Sequence, residues 1–161
     1  MLSTYTPQYA DLRFRQTMLA DEETMAYNHA WGGTIPFPEE RWGEWYAHWV
    51  KHPEGKRMYR YVRNEEGTFV GEIAYHYDDE LPGFTANVII YAPYRRRGYG
   101  GHALDLLCAA AKEGGVTRLY DDIAADNPAI KLFLTHGFAE ERRTAEKIYL
   151  VKQLSTEEET A

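Results

Sequence analysis

Cysteine is almost absent from this sequence: Cys108 is the only one in 161 residues. A single thiol forms no internal disulfide, so a disulfide-stapled scaffold is excluded and a packed core must hold the fold. Cys108 lies inside the apolar run ALDLLCAAA, the setting of a small core residue rather than of a nucleophile. A basic surplus is missing as well. Lys and Arg number 18 against 25 Asp and Glu, a formal net charge of -7. That balance argues against a nucleic-acid partner, which needs a basic face to displace counterions. No apolar run approaches the roughly 20 residues that cross a bilayer. The N-terminus MLSTYTPQYADLRFR has no basic flank leading into an apolar signal core. A cytoplasmic protein without a membrane partner is expected. The histidines are scattered, with no H-x-x-E-H or paired-cysteine spacing, so no metal is expected.

What is present is ordinary globular material, 44% hydrophobic and 27% charged, enough for one domain with a buried core. The expected boundaries are 1–154 for that domain and 155–161, STEEETA, for a frayed acidic tail. DLRFRQTM alternates like a first strand. DEETMAYNHAW reads as a helix capped by Asp21. EERWGEWYAHWVKH reads as a second helix, with Trp42, Trp45 and Trp49 on one face. That stripe suits a core and also suits the wall of an acceptor pocket. RMYRYVRN and TFVGEIAYHYDD form a hairpin through EEG, and PGFTANVIIY adds a strand. GGHALDLLCAAAKEGG is a helix that turns Leu104, Leu107, Cys108 and Ala111 to one side. TRLYDDIAAD is a strand, NPAIKLFLTHGF a short helix with Asn127 at its cap, and KIYLVKQL a last strand. The crossover from NVIIY to RLYDDI should be parallel and right-handed. The order implies a three-layer α/β or α+β domain around a mixed sheet.

The conspicuous stretch is APYRRRGYGGHAL, three arginines against a glycine run where a strand hands over to a helix. A helix that opens at such a turn offers unpaired N–H groups, and its dipole favours an anion. Gly98, Gly100 and Gly101 let a ligand approach the backbone closely, and arginines add charge-assisted contacts. A pyrophosphate fits this arrangement. The P-loop spacing is absent, and the third glycine is wrongly placed for the dinucleotide fingerprint.

This turn resembles the signature of the GNAT superfamily of acyl-CoA-dependent N-acyltransferases, Arg/Gln-x-x-Gly-x-Gly/Ala, standing here as Arg95-Arg96-Arg97-Gly98-Tyr99-Gly100 after IIYAPY. DNPAIKLFLTHGF is similar to that family's second feature, an Asn-containing strand end, a short helix and a Gly-Phe close. The resemblance implies a GNAT-like fold, a mixed sheet of six to seven strands with about four helices. It implies acetyl-CoA as cosubstrate, with its pyrophosphate on the backbone of Arg95, Arg96, Arg97, Gly98, Tyr99, Gly100 and Gly101. It also implies a pantetheine arm along Ile89, Ile90 and Tyr91 where two strands splay, and Asn127 near that arm. Homodimers are frequent in the family, and no residue here marks one. The activity implied is acetyl transfer to a primary amine of a small molecule or peptide.

A lysine-like amine with a pKa near 10.4 is neutral only about once in two to three thousand molecules at pH 7, so a base is needed. Asp122, in a strand where aspartate is disfavoured, is one candidate, although Asp121 or Asp122 would equally pair with Arg118 or another cation. His76 and Glu72, which share a strand face, are the others. Family members often carry a tyrosine in the short last helix that protonates the departing thiolate. Here Phe133 falls at that position and cannot. Tyr91, Tyr99 and Tyr120 stand unranked as replacements, beside unaided departure into water or loss of activity. The alternative reading is therefore a non-catalytic acyl-CoA-binding sensor or regulatory module. Acidic residues at Asp78, Asp79, Glu80, Asp121 and Asp122 favour a cationic acceptor, and the segment from Trp31 to Trp49 is a candidate wall for it.

Overall fold

The chain was analysed as a computed structural model that describes residues 1–79 and 83–155. Glu80 and the acidic tail from 156 onward lie outside the described residues. Seven strands form one sheet: β1 Ser3–Tyr5, β2 Arg57–Arg63, β3 Phe69–Asp78, β4 Gly83–Ile90, β5 Arg118–Ala124, β6 Ala139–Arg143 and β7 Lys147–Gln153. Their order across the sheet is β1-β2-β3-β4-β5-β7-β6. Every neighbouring pair is antiparallel except β4 and β5. The helices are α1 Leu12–Ala20, α2 Trp42–Tyr46, α3 Tyr99–Glu113 and α4 Ile130–Thr135.

Period two along each strand divides the side chains between two helical layers. On one face Ile73, Ala86, Ile90, Leu119, Ile123 and Leu150 pack with Leu104, Leu107, Cys108 and Ala111 of α3 and with Phe133 of α4. Leu104 and Leu107 are fully buried, each contributing about 1.5–3 kcal/mol of hydrophobic stabilisation. On the other face Ile89 packs with Leu12, Met18 and Leu19 of α1 and with Trp42 of α2. Tyr59, Tyr61 and Ala74 continue that layer.

Three local expectations are corrected. Residues 11–18 are not a strand: α1 occupies Leu12–Ala20 and buries Leu12, Met18 and Leu19. Those three lie at i, i+6 and i+7, a helical spacing that the short alternation Leu12/Phe14 conceals. Residues 21–31 make turns and a 3-10 helix at Ala26–Trp31 instead of an α-helix. Asp21 still acts as a cap there, its Oδ2 accepting from the N–H of Thr24 at 3.0 Å and from its hydroxyl at 2.5 Å. The expected second helix runs as a 3-10 turn at Glu39–Arg41, then α2 and then a turn of π-helix at Ala47–Lys51. Strand β6 was not anticipated, since AEERR is exposed throughout and has no apolar face to show.

Candidate active site

The β4–β5 pairing is the short one in the sheet. Only Phe84↔Leu119 and Thr85↔Tyr120 are in register, after which the two strands part and leave a fork. On its other side β4 stays paired to β3 from Gly83 to Ile90. The N–H of Tyr91 donates to Val70 O at 2.8 Å, which turns it away from the fork. Antiparallel alternation then turns the backbone groups of Val88 and Ile90 into the fork and those of Ile89 towards β3. Of the three residues expected to bind an extended arm, only Ile90 presents its main chain there. Val88 joins it, a role that period two would have revealed once the partner strand was known.

Past the end of β4, the loop through Arg95–Gly98 delivers the chain to α3. Arg96 and Gly98 both take positive φ, 66° and 79°. Gly98 is the residue before the helix and a Cβ on it would meet nothing within 4 Å, so its backbone faces open space. The first helical bond runs from His102 N–H to Gly98 O. The N–H groups of Tyr99, Gly100 and Gly101 therefore have no helical carbonyl to donate to. Gly101 points the other way. A Cβ there would stand 2.6 Å from His136 Nε2, so glycine lets α3 approach α4, where His136 Nδ1 meets Asp105 at 2.8 Å.

The three arginines divide. Arg95 folds back into the protein, donating from Nε to Ile90 O (3.0 Å), from Nη1 to Glu23 O (3.2 Å) and from Nη2 to Thr24 O (2.7 Å). Its own N–H goes to Ala92 O. Three of its five guanidinium N–H groups are thus committed to the loop, which Arg95 holds from the edge of the cleft. Arg97 lies over the Tyr94 ring at 5.7 Å. Arg96 is exposed and lines the cleft.

A cleft of about 790 Å³ runs from Arg96, Gly98, Tyr99 and Gly100 through the fork to the α1/α2 side of the sheet. Asn127 lines it near the fork, its Oδ1 accepting from Ala129 N–H at 2.9 Å and so fixing the start of α4. Phe133 forms part of the floor, buried in the core and edge-on to Phe138 with ring centroids 5.1 Å apart. Of the tyrosines considered, Tyr99 reaches the cleft; Tyr91 and Tyr120 are not in its lining. Tyr27, which the sequence gave no reason to single out, is in it. Its hydroxyl is held protonated well beyond its ordinary range, first by burial and then by the charges of Glu72 and Asp121.

The far wall is aromatic and acidic. Trp31, Trp45, Trp49 and Tyr59 line it with Glu72, His76 and Asp122, while Asp121, on the other face of β5 by period two, lines the cleft from the side of Leu119 and Ile123. The tryptophan stripe thus splits: Trp42 is buried in the core, while Trp45 and Trp49 stack 6.2 Å apart at the wall. Arg15 is built into that wall, its guanidinium 4.6 Å from the Phe37 centroid and 4.5 Å from the Trp45 centroid. Its Nε is 3.9 Å from Glu72 Oε1. Glu72 is 1% exposed, and burial raises its pKa more than the Arg15 charge lowers it. His76 sits edge-on to Trp49 at 6.0 Å. Asp122 pairs with Lys147 at 3.2 Å rather than with Arg118, and Lys147 lies over Trp31 at 5.1 Å. Asp121 has no ion pair and no side-chain partner among the described residues, and its carboxyl is pushed well above the carboxylate range by burial and then by the neighbouring Asp122 charge, against the smaller opposing effect of a backbone hydrogen bond from Asp122. Asp78 and Asp79, at the end of β3, are outside the cleft lining, and Glu80 lies outside the described residues. No group of three or more metal-ligating side chains occurs among the described residues, and none of their helices is long and apolar enough to cross a membrane.

No curated protein matches the sequence significantly. Among solved structures, the chain is similar to the spermidine N-acetyltransferase of Vibrio cholerae in complex with CoA and spermine, at 18% identity and TM-score 0.75, over 95% of each chain. It is similar to yncA of Salmonella typhimurium with its cofactor acetyl-CoA, at 15% identity and TM-score 0.75, over 96% of this chain and 94% of that one. A GNAT-family acetyltransferase from Bacillus anthracis gives 19% identity and TM-score 0.71, over 95% of each. At such identities these likenesses establish the fold. Membership rests on the family model described as acetyltransferase (GNAT) domain, which matches residues 1–138, most of the chain: the protein belongs to the GNAT acetyltransferase family.

Proposed function

We propose that the protein transfers the acetyl group of acetyl-CoA to a primary amine that carries an apolar or aromatic body. The observation behind this reading is one continuous cleft joining the bare N-terminal amides of α3, the β4–β5 fork and a wall that is both acidic and aromatic. Each part suits one part of the reaction. Unpaired amides at a helix N-terminus receive a pyrophosphate. The fork-facing backbone of Val88 and Ile90 receives the amide-bearing arm. Glu72 and Asp122 outnumber Arg15 on the wall, and Trp31, Trp45 and Trp49 offer faces to a cation.

The amine arrives protonated and must shed a proton before it can attack. His76 and Asp122, both open to the cleft, are the acceptors of that proton. Glu72, enclosed behind Arg15, acts on the amine through its charge. Asn127 orders the α4 end of the fork. A sensor that binds acetyl-CoA without turnover is the second reading, and its one specific support is Phe133, which has no proton to give.

Calorimetric titration with acetyl-CoA, followed by thiol detection as alkyl, polyamine and arylalkyl amines are added, tests this. Binding followed by thiol release with amines bearing an apolar body is the expected outcome. Binding without release across the panel would favour the sensor, and absence of binding would remove the cleft assignment.

A further inference from the structure

Burying an acid without a cation costs stability, and strands disfavour aspartate. Asp121 does both. Its neighbour Asp122 is accounted for by Lys147, but no side-chain partner explains Asp121 among the described residues. Its position is specific. The β4–β5 ladder ends at Thr85↔Tyr120, so Asp121 is the first β5 residue inside the fork. Continuing that register sets it opposite Ala86, four residues back from Ile90, or about 13 Å of strand at 3.3 Å per residue. A pantetheine arm that starts from the α3 amides and runs along Ile90 and Val88 brings its thioester to that depth. Asp121 also shares its sheet face with Leu119 and Ile123, which pack in the cluster that contains Phe133. It therefore stands on the same side of the fork as the phenyl ring that cannot donate.

We propose that Asp121 is the acid that protonates the coenzyme A sulfur as the thioester breaks, taking the place of a hydroxyl on α4. The step balances within the site. The neutral amine nitrogen attacks the acetyl carbonyl, the C–N bond forms and the C–S bond breaks. The sulfur takes the Asp121 proton. The carboxylate so formed takes the proton that the acylated nitrogen must lose, and Asp121 ends as the acid it began as. The proton shed earlier by the incoming ammonium is a separate one and goes to His76, Asp122 or solvent. Burial and the adjacent Asp122 charge push the Asp121 carboxyl towards its acid form, the direction that suits a donor to sulfur and not a base for the ammonium.

The inference rests on the acetyl-transfer reading, and its test separates the two. Asp121→Asn keeps the size of the side chain and removes the titrating proton. With acetyl-CoA and an accepted amine, kcat should fall by about 10²-fold or more, the usual worth of a positioned acid, while the calorimetric Kd for acetyl-CoA stays within about twofold. Asp121→Glu, which keeps an acid, should recover part of that loss. The decisive comparison replaces acetyl-CoA with the acetyl selenoester of seleno-coenzyme A, whose selenol is acidic enough to leave as the anion. There the wild-type to Asp121→Asn ratio should collapse towards one. An equal ratio with both donors would make Asp121 a structural or positioning residue and overturn the proposal, as would an unchanged kcat. A donor-dependent loss in Tyr27→Phe or Tyr99→Phe, but not in Asp121→Asn, would assign the proton elsewhere. If the wild-type protein releases no thiol with any amine, the failure belongs to the acetyl-transfer reading instead.

Discussion

Replacing Arg95 with alanine separates two uses of the arginine run that the sequence alone would merge. The side chain donates to Ile90 O, Glu23 O and Thr24 O and so ties the loop after β4 to the segment before the 3-10 helix Ala26–Trp31. The bond to Glu23 is exposed and is counted as nothing. The bonds to Ile90 and Thr24 are part-buried; discounted for partial exposure, each is worth about 1 kcal/mol rather than the 1.5–3 kcal/mol of an enclosed charged donor. A loss of about 2 kcal/mol follows, and at 2–4 °C per kcal/mol for a chain of this size the melting temperature should fall by about 4–8 °C. Differential scanning calorimetry without ligand measures it. Arg95→Lys should recover less than half, because an ammonium cannot reach three carbonyls with the geometry of a planar fork. Acetyl-CoA affinity in Arg95→Ala should fall only through loosening of the loop. An unchanged melting temperature together with a large loss of acetyl-CoA affinity would show that Arg95 contacts the ligand directly and would refute the clamp.

Other substitutions probe the remaining parts of the cleft. Gly98→Glu puts a carboxylate and a side chain at a φ of 79° beside the amides assigned to the pyrophosphate, and calorimetry should find acetyl-CoA binding weakened by more than about tenfold. Gly101→Ala drives a Cβ to 2.6 Å from His136 Nε2, costing about 1–3 kcal/mol unless the ring swings out and gives up Asp105; thermal melting reads the cost and the His136 NMR titration reads the swing. Asp121→Asn should change stability in a pH-dependent direction. The folded state holds the Asp121 proton more tightly than the unfolded chain does, so the wild type is favoured below the unfolded pKa and loses that contribution as pH rises through the folded one. The variant has no such loss, and its melting temperature relative to the wild type should climb with pH and then level off; a decline would show that the Asp121 charge has a partner.

Much of the architecture could be read locally, because β2, β3, β4, α3 and β7 each carry an apolar pattern with a single period, and all but β7 have a glycine or proline boundary. The failures came where local and tertiary signals diverge. In residues 11–20 two strand-like alternations precede a helical spacing that shows only when Met18 and Leu19 find Ile89 across the sheet. Strand β6 has no apolar face, and it forms because β7 offers an edge and Arg142 lies 3.7 Å over the Tyr149 ring. At the site, the glycine turn was legible because unpaired amides follow from chain geometry. The fate of Arg95 was not, since its carbonyl partners Glu23 and Thr24 lie 72 and 71 residues away. The sequence favoured Asp122 as the base and left open which of Asp121 and Asp122 pairs with a cation; the position of Lys147 on the neighbouring strand gives that pairing to Asp122. Tyr27 carried no signal at all: one tyrosine in a 3-10 turn, brought beside Glu72 and Asp121 by the fold.

The departures from local consistency share a location. A parallel pair that unzips after two residues, a guanidinium stacked among aromatic rings with its Nε unsatisfied, a carboxyl at 1% exposure and a second one without a cation all line the same cleft. Each is unfavourable for folding by itself: open ladder groups, an unpaired donor and desolvated charge cost free energy that an apolar substitution would recover. A protein that needed these residues only to fold would gain by replacing them, and sites that break local rules without a structural return are where function is to be sought. Glu72 is partly repaid by Arg15, and the fork is repaid if a ligand arm completes its hydrogen bonds. Asp121 has no cation in the folded chain, only the backbone hydrogen bond from Asp122. Stabilisation of the protein by Asp121→Asn at neutral pH, accompanied by loss of thioester turnover, is therefore the combined signature that an acid retained for chemistry leaves and an acid retained for structure does not.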